Sequence, residues 1–284
     1  MAVSGGVDSV SLLHRLRGQL GLQLTVAHFD HGIRQDSNED RRLVQRLAQA
    51  YDLPFVYDLG QLGAGASEAT ARAARYKFLR QVQQASRARA IVTAHHQDDI
   101  LETAIINLLR GTGRKGLTAL DSRPDLVRPI LQAPKQDVIA YAKSHGLEWR
   151  EDSTNQDLAY LRNYVRQRIL PRFDAAGRDQ LLAIINQARH TNHELDTLLV
   201  NHMHGQSVSG QLDRPFFNQL PHKVAREVMA AWLRVHGVTN FDSKALERLV
   251  VAAKTAPAGQ QHDVLQGVTL RLTTNHLALD SPER

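Results

Sequence analysis

The sequence contains no cysteine, and this absence excludes several kinds of chemistry. None of the 284 residues carries a thiol, so disulfides, thiolate zinc sites and a cysteine nucleophile are excluded. No apolar run approaches the roughly 20 residues that a membrane span needs. No signal peptide precedes the first motif, so we expect a cytoplasmic protein without a membrane partner.

The composition favours a soluble globular protein with more than one domain. Apolar residues make up 42% of the chain and charged residues 23%, which is ordinary for folded domains. A chain of 284 residues is longer than one compact core usually holds. The formal charge of +6 suits a polyanionic partner, although net charge also serves solubility.

A short glycine-containing turn lies between an apolar pair and a helical pattern. Its glycines let the backbone approach an anion and adopt positive φ, and the following helix offers free N–H groups. The turn therefore predicts a phosphate-binding loop, with an ordinary helix cap as the alternative. The predicted loop consists of Ser4, Gly5, Gly6, Val7, Asp8 and Ser9.

This loop differs from the GxxxxGK(S/T) P-loop because no lysine follows its glycines. Asp8 stands where the P-loop would place a cation. A carboxylate beside phosphates needs Mg²⁺ between them, which suits pyrophosphate held as a leaving group. We therefore expect Asp8 to be a Mg²⁺ ligand.

Strands and helices alternate through the first 150 residues. The predicted strands are 22–29, 55–57 and 90–94, and the predicted helices are 40–51, 68–85 and 98–110. This order predicts a doubly wound, mostly parallel α/β sheet that binds ligands at the carboxyl ends of its strands. Only about three residues precede the loop, fewer than the five or six of a usual strand. We therefore expect part of the natural N-terminus to be absent.

Polar residues cluster where two of these strands end. His28, Asp30 and His31 follow one strand, and His95 and His96 follow another. Packing does not require this pattern, so we expect a functional site at this edge. The two adjacent histidines lack a third ligand at zinc spacing, which favours a hydrogen-bonding or substrate role over metal binding.

Two pairs of like-charged residues on predicted helices are further candidates for the functional site. Asp99 and Glu102 share one helix face, where they either complement the helix dipole or receive an ammonium group or Mg²⁺. Arg72 and Arg75 also share a face, either solvated beside Glu68 or supporting phosphates.

Two basic segments are candidates for nucleic-acid contact. Arg110, Arg114 and Lys115 lie in a glycine-rich loop, which either contacts phosphodiesters or simply ends a helix with favourable cations. Arg162 and Arg166 share a face as like charges, and a counter-anion would relieve their repulsion.

The later part of the chain changes character. We expect a helical connector over residues 166–205 after a catalytic domain of 1–165. Residues 206–284 predict a small α+β domain with helices at 224–235 and 243–254 and a hairpin at 264–279. This domain either has a structural role as a cap or helps to bind the substrate, and we favour substrate binding.

Several ordered segments together resemble the tRNA(Ile)-lysidine synthetases, within the PP-loop (N-type) ATP pyrophosphatases. They are SGGVDS (4–9), HFDHGIR (28–34), EATARAARY (68–76), AHHQDDILET (94–103), RGTGRKGL (110–117), RPIL (128–131) and WREDSTN (149–155), followed by Arg162-Asn163. The resemblance covers roughly residues 2–170 and implies an adenine nucleotide alpha hydrolase-like fold. Longer members carry a further C-terminal domain, which we expect this chain to lack.

The resemblance implies that ATP, with Mg²⁺, activates the wobble cytidine of tRNA(Ile) with the CAU anticodon, and that free L-lysine then displaces AMP. Loop 4–9 would hold pyrophosphate, Arg75 matches the catalytic arginine, and Asp99 and Glu102 would bind lysine. The five basic residues of the two segments would contact tRNA, and the family suggests homodimers. They are Arg110, Arg114, Lys115, Arg162 and Arg166.

Two other interpretations stay open. The lack of cysteine closes the routes that PP-loop enzymes use for tRNA thiolation and glutamine hydrolysis. A PP-loop ligase that amidates a small molecule with free ammonia remains an alternative. The other is a tRNA-binding protein without catalysis, if the short first strand leaves the phosphate loop unsupported.

Overall fold

The computed structural model describes residues 1–32, 37–63, 65–151, 157–205, 207–208, 210–238, 241–265 and 267–280. The chain forms two compact units, Met1–Arg189 and His190–Arg284. Within the described ranges, no helix has the length and apolar character needed to cross a membrane. The boundaries expected at 165 and 205 stay predictions.

The first three residues hold the centre of a parallel sheet. Strand β1 (Val26–Asp30) pairs in parallel with β2 (Phe55–Leu59), and β3 (Ile91–Val92) pairs in parallel with β4 (Leu126–Val127). The N-terminal segment joins the two pairs, because the Val3 N–H donates to the Ala27 carbonyl (2.9 Å) and the Ala2 N–H donates to the Val92 carbonyl (2.8 Å). The few residues before the loop are therefore anchored on both sides.

The resulting order is β2, β1, the N-terminal segment, β3, β4. The direction in which the chain adds strands reverses between the N-terminal segment and β3. In doubly wound sheets, ligands bind outside the carboxyl ends of the strands at this reversal point. Loop 4–9 follows the N-terminal segment and therefore begins at this point.

Helices cover both faces of the sheet. The α1 (Val7–Leu16) and α2 (Ser37–Ala50) helices pack on the face that carries Val3 and Val26. The α3 helix (Glu68–Ala85) packs on the opposite face, against Ala27. The α4 (Gln97–Leu109), α5 (Arg114–Leu117) and α6 (Lys135–Ser144) helices follow. The predicted doubly wound fold is confirmed.

A helical segment after these elements packs on α4. It consists of α7 (Leu161–Tyr164), a π-helical turn (Val165–Ile169), a short 3₁₀ turn (Leu170–Arg172) and the start of α8 (Ala175–Gly205). Val165 and Leu170 bury their side chains in one cluster with Ile100 and Leu101 of α4. This packing holds the basic residues of the segment beside α4.

The second unit is a small α+β structure. The α9 (Arg214–Gln219), α10 (His222–Val235) and α11 (Ser243–Thr255) helices accompany an antiparallel sheet. Its strands are β5 (Ser207–Val208), β6 (Gln211–Asp213), β7 (Gln261–Leu265), β8 (Val268–Leu272) and β9 (His276–Asp280), in the order β5-β6-β9-β8-β7. The predicted hairpin is confirmed, since Leu272 pairs with Leu277 across its turn.

Candidate active site

Loop 4–9 is shaped around the Ser9 side chain. The Ser9 hydroxyl accepts from the N–H groups of Ser4 (3.2 Å) and Gly5 (3.3 Å) and donates to the Gly6 carbonyl (3.0 Å). Gly5 has φ of +96°, a conformation that glycine adopts without steric cost. Gly6 caps α1 and Val7 begins it, so the first free N–H groups of the helix border the loop.

Two charged residues support the loop from outside. The Arg150 N–H donates to the Gly5 carbonyl (3.0 Å), and the Arg150 Nε donates to Asp40 Oδ1 (2.8 Å). A Cβ atom on Gly5 would lie 3.6 Å from Asp40 Cβ. The loop is thus fixed by α2 and by the segment before residue 152. The predicted motif residues 152–155, like Arg34, lie outside the described residues.

A lysine that the sequence analysis did not name lies beside the loop. Lys135, the first residue of α6, donates from Nζ to both carboxylate oxygens of Asp8, at 2.6 and 2.7 Å. Lys135 is 127 residues from Asp8 in the chain. The sequence indicated only part of this arrangement. Pro134 predicts the start of a helix, but nothing in the sequence shows that the adjacent Lys135 binds Asp8.

A buried histidine lies between the loop and α4. His96 is only 4% exposed, and its Nε2 lies 3.7 Å from Asp8 Oδ2 and 3.5 Å from Asp99 Oδ2. The His96 backbone N–H also donates to Asp99 Oδ2 (2.9 Å). The structure therefore brings the predicted Mg²⁺ ligand and one predicted lysine-binding acid to the same nitrogen of one imidazole.

The environment sets the charge of Asp99 and His95. Burial alone would raise the pKa of Asp99, but His96, the His96 N–H and Arg162 bring it below its ordinary value. Burial lowers the pKa of His95 to about 3, so its imidazole is neutral at physiological pH. The Thr93 hydroxyl lies 2.9 Å from His95 Nδ1 and fixes the ring.

Glu102 is fully buried and bound by two arginines. Arg166 donates to it from Nε (2.6 Å) and Nη2 (3.0 Å), and Arg162 donates from Nη1 (3.3 Å). Burial raises the pKa of Glu102, against the hydrogen bond from Arg166. Glu102 is thus the counter-anion that the like-charged Arg162 and Arg166 needed. Their predicted role in tRNA binding stays a prediction.

Arg75 lies near the same edge. Its guanidinium carbon is 5.7 Å from the centre of the Tyr76 ring, and burial lowers its pKa. No carboxylate within the described ranges lies at ion-pair distance from Arg75. Its predicted catalytic role stays a prediction.

The basic loop after α4 is separated from these residues. Arg110 caps α4 at its C-terminal end and is exposed, while Arg114 and Lys115 form the start of α5. At about 1.5 Å per helical residue, Arg110 lies roughly 16 Å along the helix axis from Asp99. Arg110 therefore lies away from the acid pair, and the predicted tRNA contacts of Arg110, Arg114 and Lys115 stay predictions.

The donors around loop 4–9 fit a Mg²⁺–nucleotide complex. Among the described residues, no group of three or more histidine and acidic side chains forms a metal site. Mg²⁺ does not need one, because it takes one or two carboxylates together with substrate phosphates and water. Asp8 supplies such a carboxylate, with a side chain 26% exposed, beside a glycine loop that a phosphate can approach.

The fold and the site define a PP-loop nucleotide-binding protein, and comparison with known proteins agrees. A family model described as PP-loop domain matches residues 1–173. The U34-tRNA thiolase of Methanococcus maripaludis has a similar fold, with a TM-score of 0.55 over 67% of this chain and 71% of that chain, at 15% identity.

Curated sequences narrow the class. The tRNA(Ile)-lysidine synthase of Gloeobacter violaceus is 36% identical over 249 residues, which cover 83% of this chain and 76% of the relative. Those of Thermotoga sp. (strain RQ2) and Thermus thermophilus are 38% and 42% identical over 60% and 63% of this chain. The chain belongs to the tRNA(Ile)-lysidine synthase family. It spans only 44% and 37% of the length of the last two relatives.

Proposed function

We propose that this chain uses ATP to attach free L-lysine to C2 of the wobble cytidine in tRNA(Ile) with the CAU anticodon. The products are lysidine, AMP and pyrophosphate. One observation carries the proposal: the His96 imidazole lies within 3.7 Å of both Asp8 and Asp99. This proximity supports a phosphate site beside an amine site, as a reaction that joins an activated base to an amine requires.

In the first step, O2 of the cytidine attacks the α-phosphorus of ATP, and the bond from that phosphorus to pyrophosphate breaks. The free N–H groups in the first turn of α1, where loop 4–9 ends, hold the departing pyrophosphate. Bound at Asp8 and the phosphates, Mg²⁺ would neutralise charge on this leaving group. Arg75 balances negative charge on the α-phosphate, because an arginine fork suits phosphate oxygens.

In the second step, the ε-amine of lysine attacks C2, and AMP leaves with the oxygen that was O2. Asp99 stays ionised because its pKa is lowered, so it suits an ammonium group as a fixed counter-charge. The amine must lose a proton before it attacks. Glu102, with its raised pKa, is the stronger base of the two acids.

Glu102 also couples lysine binding to two arginines. Its oxygens are held by Arg166 and Arg162, so an incoming ammonium group competes with these guanidinium groups. Asp99 Oδ1 lies 3.7 Å from Arg162 Nη1 and 4.0 Å from Arg166 Nη2, so the same arginines also face this acid. We propose that Asp99 makes the first contact with lysine, since these separations are longer than those to Glu102. The arginines can then shift from Glu102 towards an anion of the substrates.

The target base must leave the anticodon stack to reach this edge. Arg110, Arg114 and Lys115 lie far enough from the acid pair to contact the tRNA backbone while the base is bound. The homodimer and the cytoplasmic location that the sequence suggests stay predictions.

The test is incubation of the full chain with a tRNA(Ile) transcript, ATP, Mg²⁺ and labelled lysine, followed by nucleoside analysis. We expect labelled lysidine, and no label in a methionine tRNA transcript that carries the same anticodon. ATP turnover that needs ammonia but not tRNA would overturn the proposal and support a small-molecule amidoligase.

A further inference from the structure

The α1 and α6 helices lie side by side in parallel. Their contacts advance together along the chain: Asp8 meets Lys135, the Ser11 hydroxyl donates to the Val138 carbonyl (3.4 Å), and His14 Nδ1 lies 2.9 Å from the Tyr141 hydroxyl. Each pair is separated by 127 residues. The two helices therefore start at the same edge of the sheet, where loop 4–9 lies.

This register places the Lys135 ammonium at the phosphate loop. Both oxygens of Asp8 accept from Lys135 Nζ, so the lysine ammonium competes with Mg²⁺ for this carboxylate while the pair is intact. Arrival of Mg²⁺ and phosphates brings a competing cation for Asp8 and a competing anion for Lys135. Because both side chains are about one-quarter to one-third exposed (26% and 31%), the pair can open without leaving a charge buried in apolar surroundings.

We propose that Lys135 is a phosphate-binding residue that exchanges partners. Without nucleotide, it neutralises Asp8. When Mg²⁺ takes the Asp8 carboxylate, the Lys135 ammonium turns to the oxygens of the leaving pyrophosphate. The proposal rests on the proposed use of ATP and supplies the cation that the P-loop obtains from its own lysine. Here that cation comes from a different helix.

This exchange makes a prediction that a purely structural lysine does not. In Lys135→Met, Mg²⁺ loses its competitor for Asp8, so the affinity for Mg²⁺ alone rises. The same variant loses a charge-assisted contact to pyrophosphate, so affinity for pyrophosphate at saturating Mg²⁺ falls, by about tenfold or more. The two affinities thus move in opposite directions.

The experiment is isothermal titration of the full chain, first with MgCl₂ alone and then with inorganic pyrophosphate at saturating Mg²⁺. Lys143→Met is the matched control, because Lys143 lies on the same helix and is exposed; both affinities should stay unchanged. Lys135→Arg keeps the charge and should recover most of the pyrophosphate affinity.

Two results would overturn the proposal. One is that Lys135→Met weakens the binding of both Mg²⁺ and pyrophosphate while Lys135→Arg binds both as the parent chain does. This result would indicate that Lys135 only holds α1 and α6 together. The other is no change in either affinity. Because neither titration contains tRNA or lysine, the outcome is independent of whether lysidine forms, and the nucleoside assay tests that separately.

Discussion

The two units of the chain bury different kinds of side chain. Among the described residues of the first unit, the buried groups include His28, Asp30, Asp40, His96, Asp99 and Glu102, near the carboxyl ends of the strands. The second unit has an apolar core around Trp232 and Met229. Its buried charge is Arg214, whose guanidinium donates to the carbonyls of Ala253 and Thr273 (2.9 and 3.0 Å) and of Ala256.

This difference places most of the buried titratable groups of the described residues in the first unit. Burying a titratable group costs free energy unless partners compensate it, and perturbed pKa values gather where chemistry is done. In the first unit the buried His96 lies 3.5 Å from the buried Asp99 and 3.7 Å from Asp8, beside the phosphate loop. In the second unit each of the three guanidinium nitrogens of the buried Arg214 donates to a carbonyl, and these bonds tie α11 to the β8–β9 turn.

The largest effect is expected from Asp99→Asn. The variant removes the counter-charge for the ammonium group but leaves loop 4–9 intact, so lysine incorporation should fall about a hundredfold or more. Pyrophosphate exchange into ATP, in the presence of tRNA, should survive. Asp98→Asn in the same helical turn is the control, since Asp98 faces Arg178 instead (3.5 Å). Parallel loss of both activities would assign Asp99 to ATP or Mg²⁺.

Glu102→Gln should destabilise the first unit by about 2 kcal/mol, because Arg162 and Arg166 lose their shared anion. This is less than the roughly 3–5 kcal/mol for breaking a fully buried pair, since Arg166 is 39% exposed. Urea unfolding measures the change. In the second unit, Glu247 pairs with Arg226 but is 40% exposed, so Glu247→Gln should cost at most about 1 kcal/mol. Equal losses of unfolding free energy in the two variants would contradict the difference that we draw between the two units.

Arg214→Met should cost about 1–2 kcal/mol, because carbonyl groups around the α11 C-terminus lose their donor. If the second unit only supports the fold, pyrophosphate exchange per folded molecule should be unchanged at temperatures below the unfolding transition. Thermal unfolding and the exchange assay on the same sample test this. A fall in exchange without a fall in stability would show that the second unit takes part in nucleotide binding.

The smallest effect concerns pH. His95 has a pKa of about 3 when folded and about 6.5 when unfolded, so the unfolded chain binds a proton that the folded chain refuses. The neutral His95 therefore contributes fully to the free energy of unfolding above about pH 6.5. This contribution falls as the pH decreases from 6.5 towards 3.

Between pH 6.5 and 5.5, the loss from this one group is about 1 kcal/mol. His95→Gln should flatten that part of the stability profile, measured as urea midpoints at both pH values. His222→Gln in the second unit is the control, because His222 is exposed and bound to Glu247 (2.7 Å). An unchanged slope in His95→Gln would mean that His95 is not held neutral.

Local patterns predicted most elements of the first unit. The α3 helix has the predicted bounds because Ser67 caps it, accepting from the Thr70 N–H, and the period of its apolar residues is regular. The alternation of strands and helices also predicted that polar side chains gather at the carboxyl ends of the strands. The short β5 and β6 strands escaped prediction, since two or three residues carry no period.

Contacts between distant segments were not predictable in this way. The like charges of Arg162 and Arg166 indicated a need for an anion, but the sequence did not reveal that Glu102, about sixty residues earlier, supplies it. The same holds for the pairing of Lys135 with Asp8. Both pairs depend on how helices align after folding, which short-range patterns do not encode.

The central claim is that loop 4–9 grips the outer two phosphates, so that ATP breaks between its α- and β-phosphates. The direct measurement is product analysis after incubation of the chain with ATP, Mg²⁺, lysine and a tRNA(Ile) transcript. We predict AMP and pyrophosphate, each formed in equal amount to lysidine. Release of ADP and orthophosphate would contradict the account.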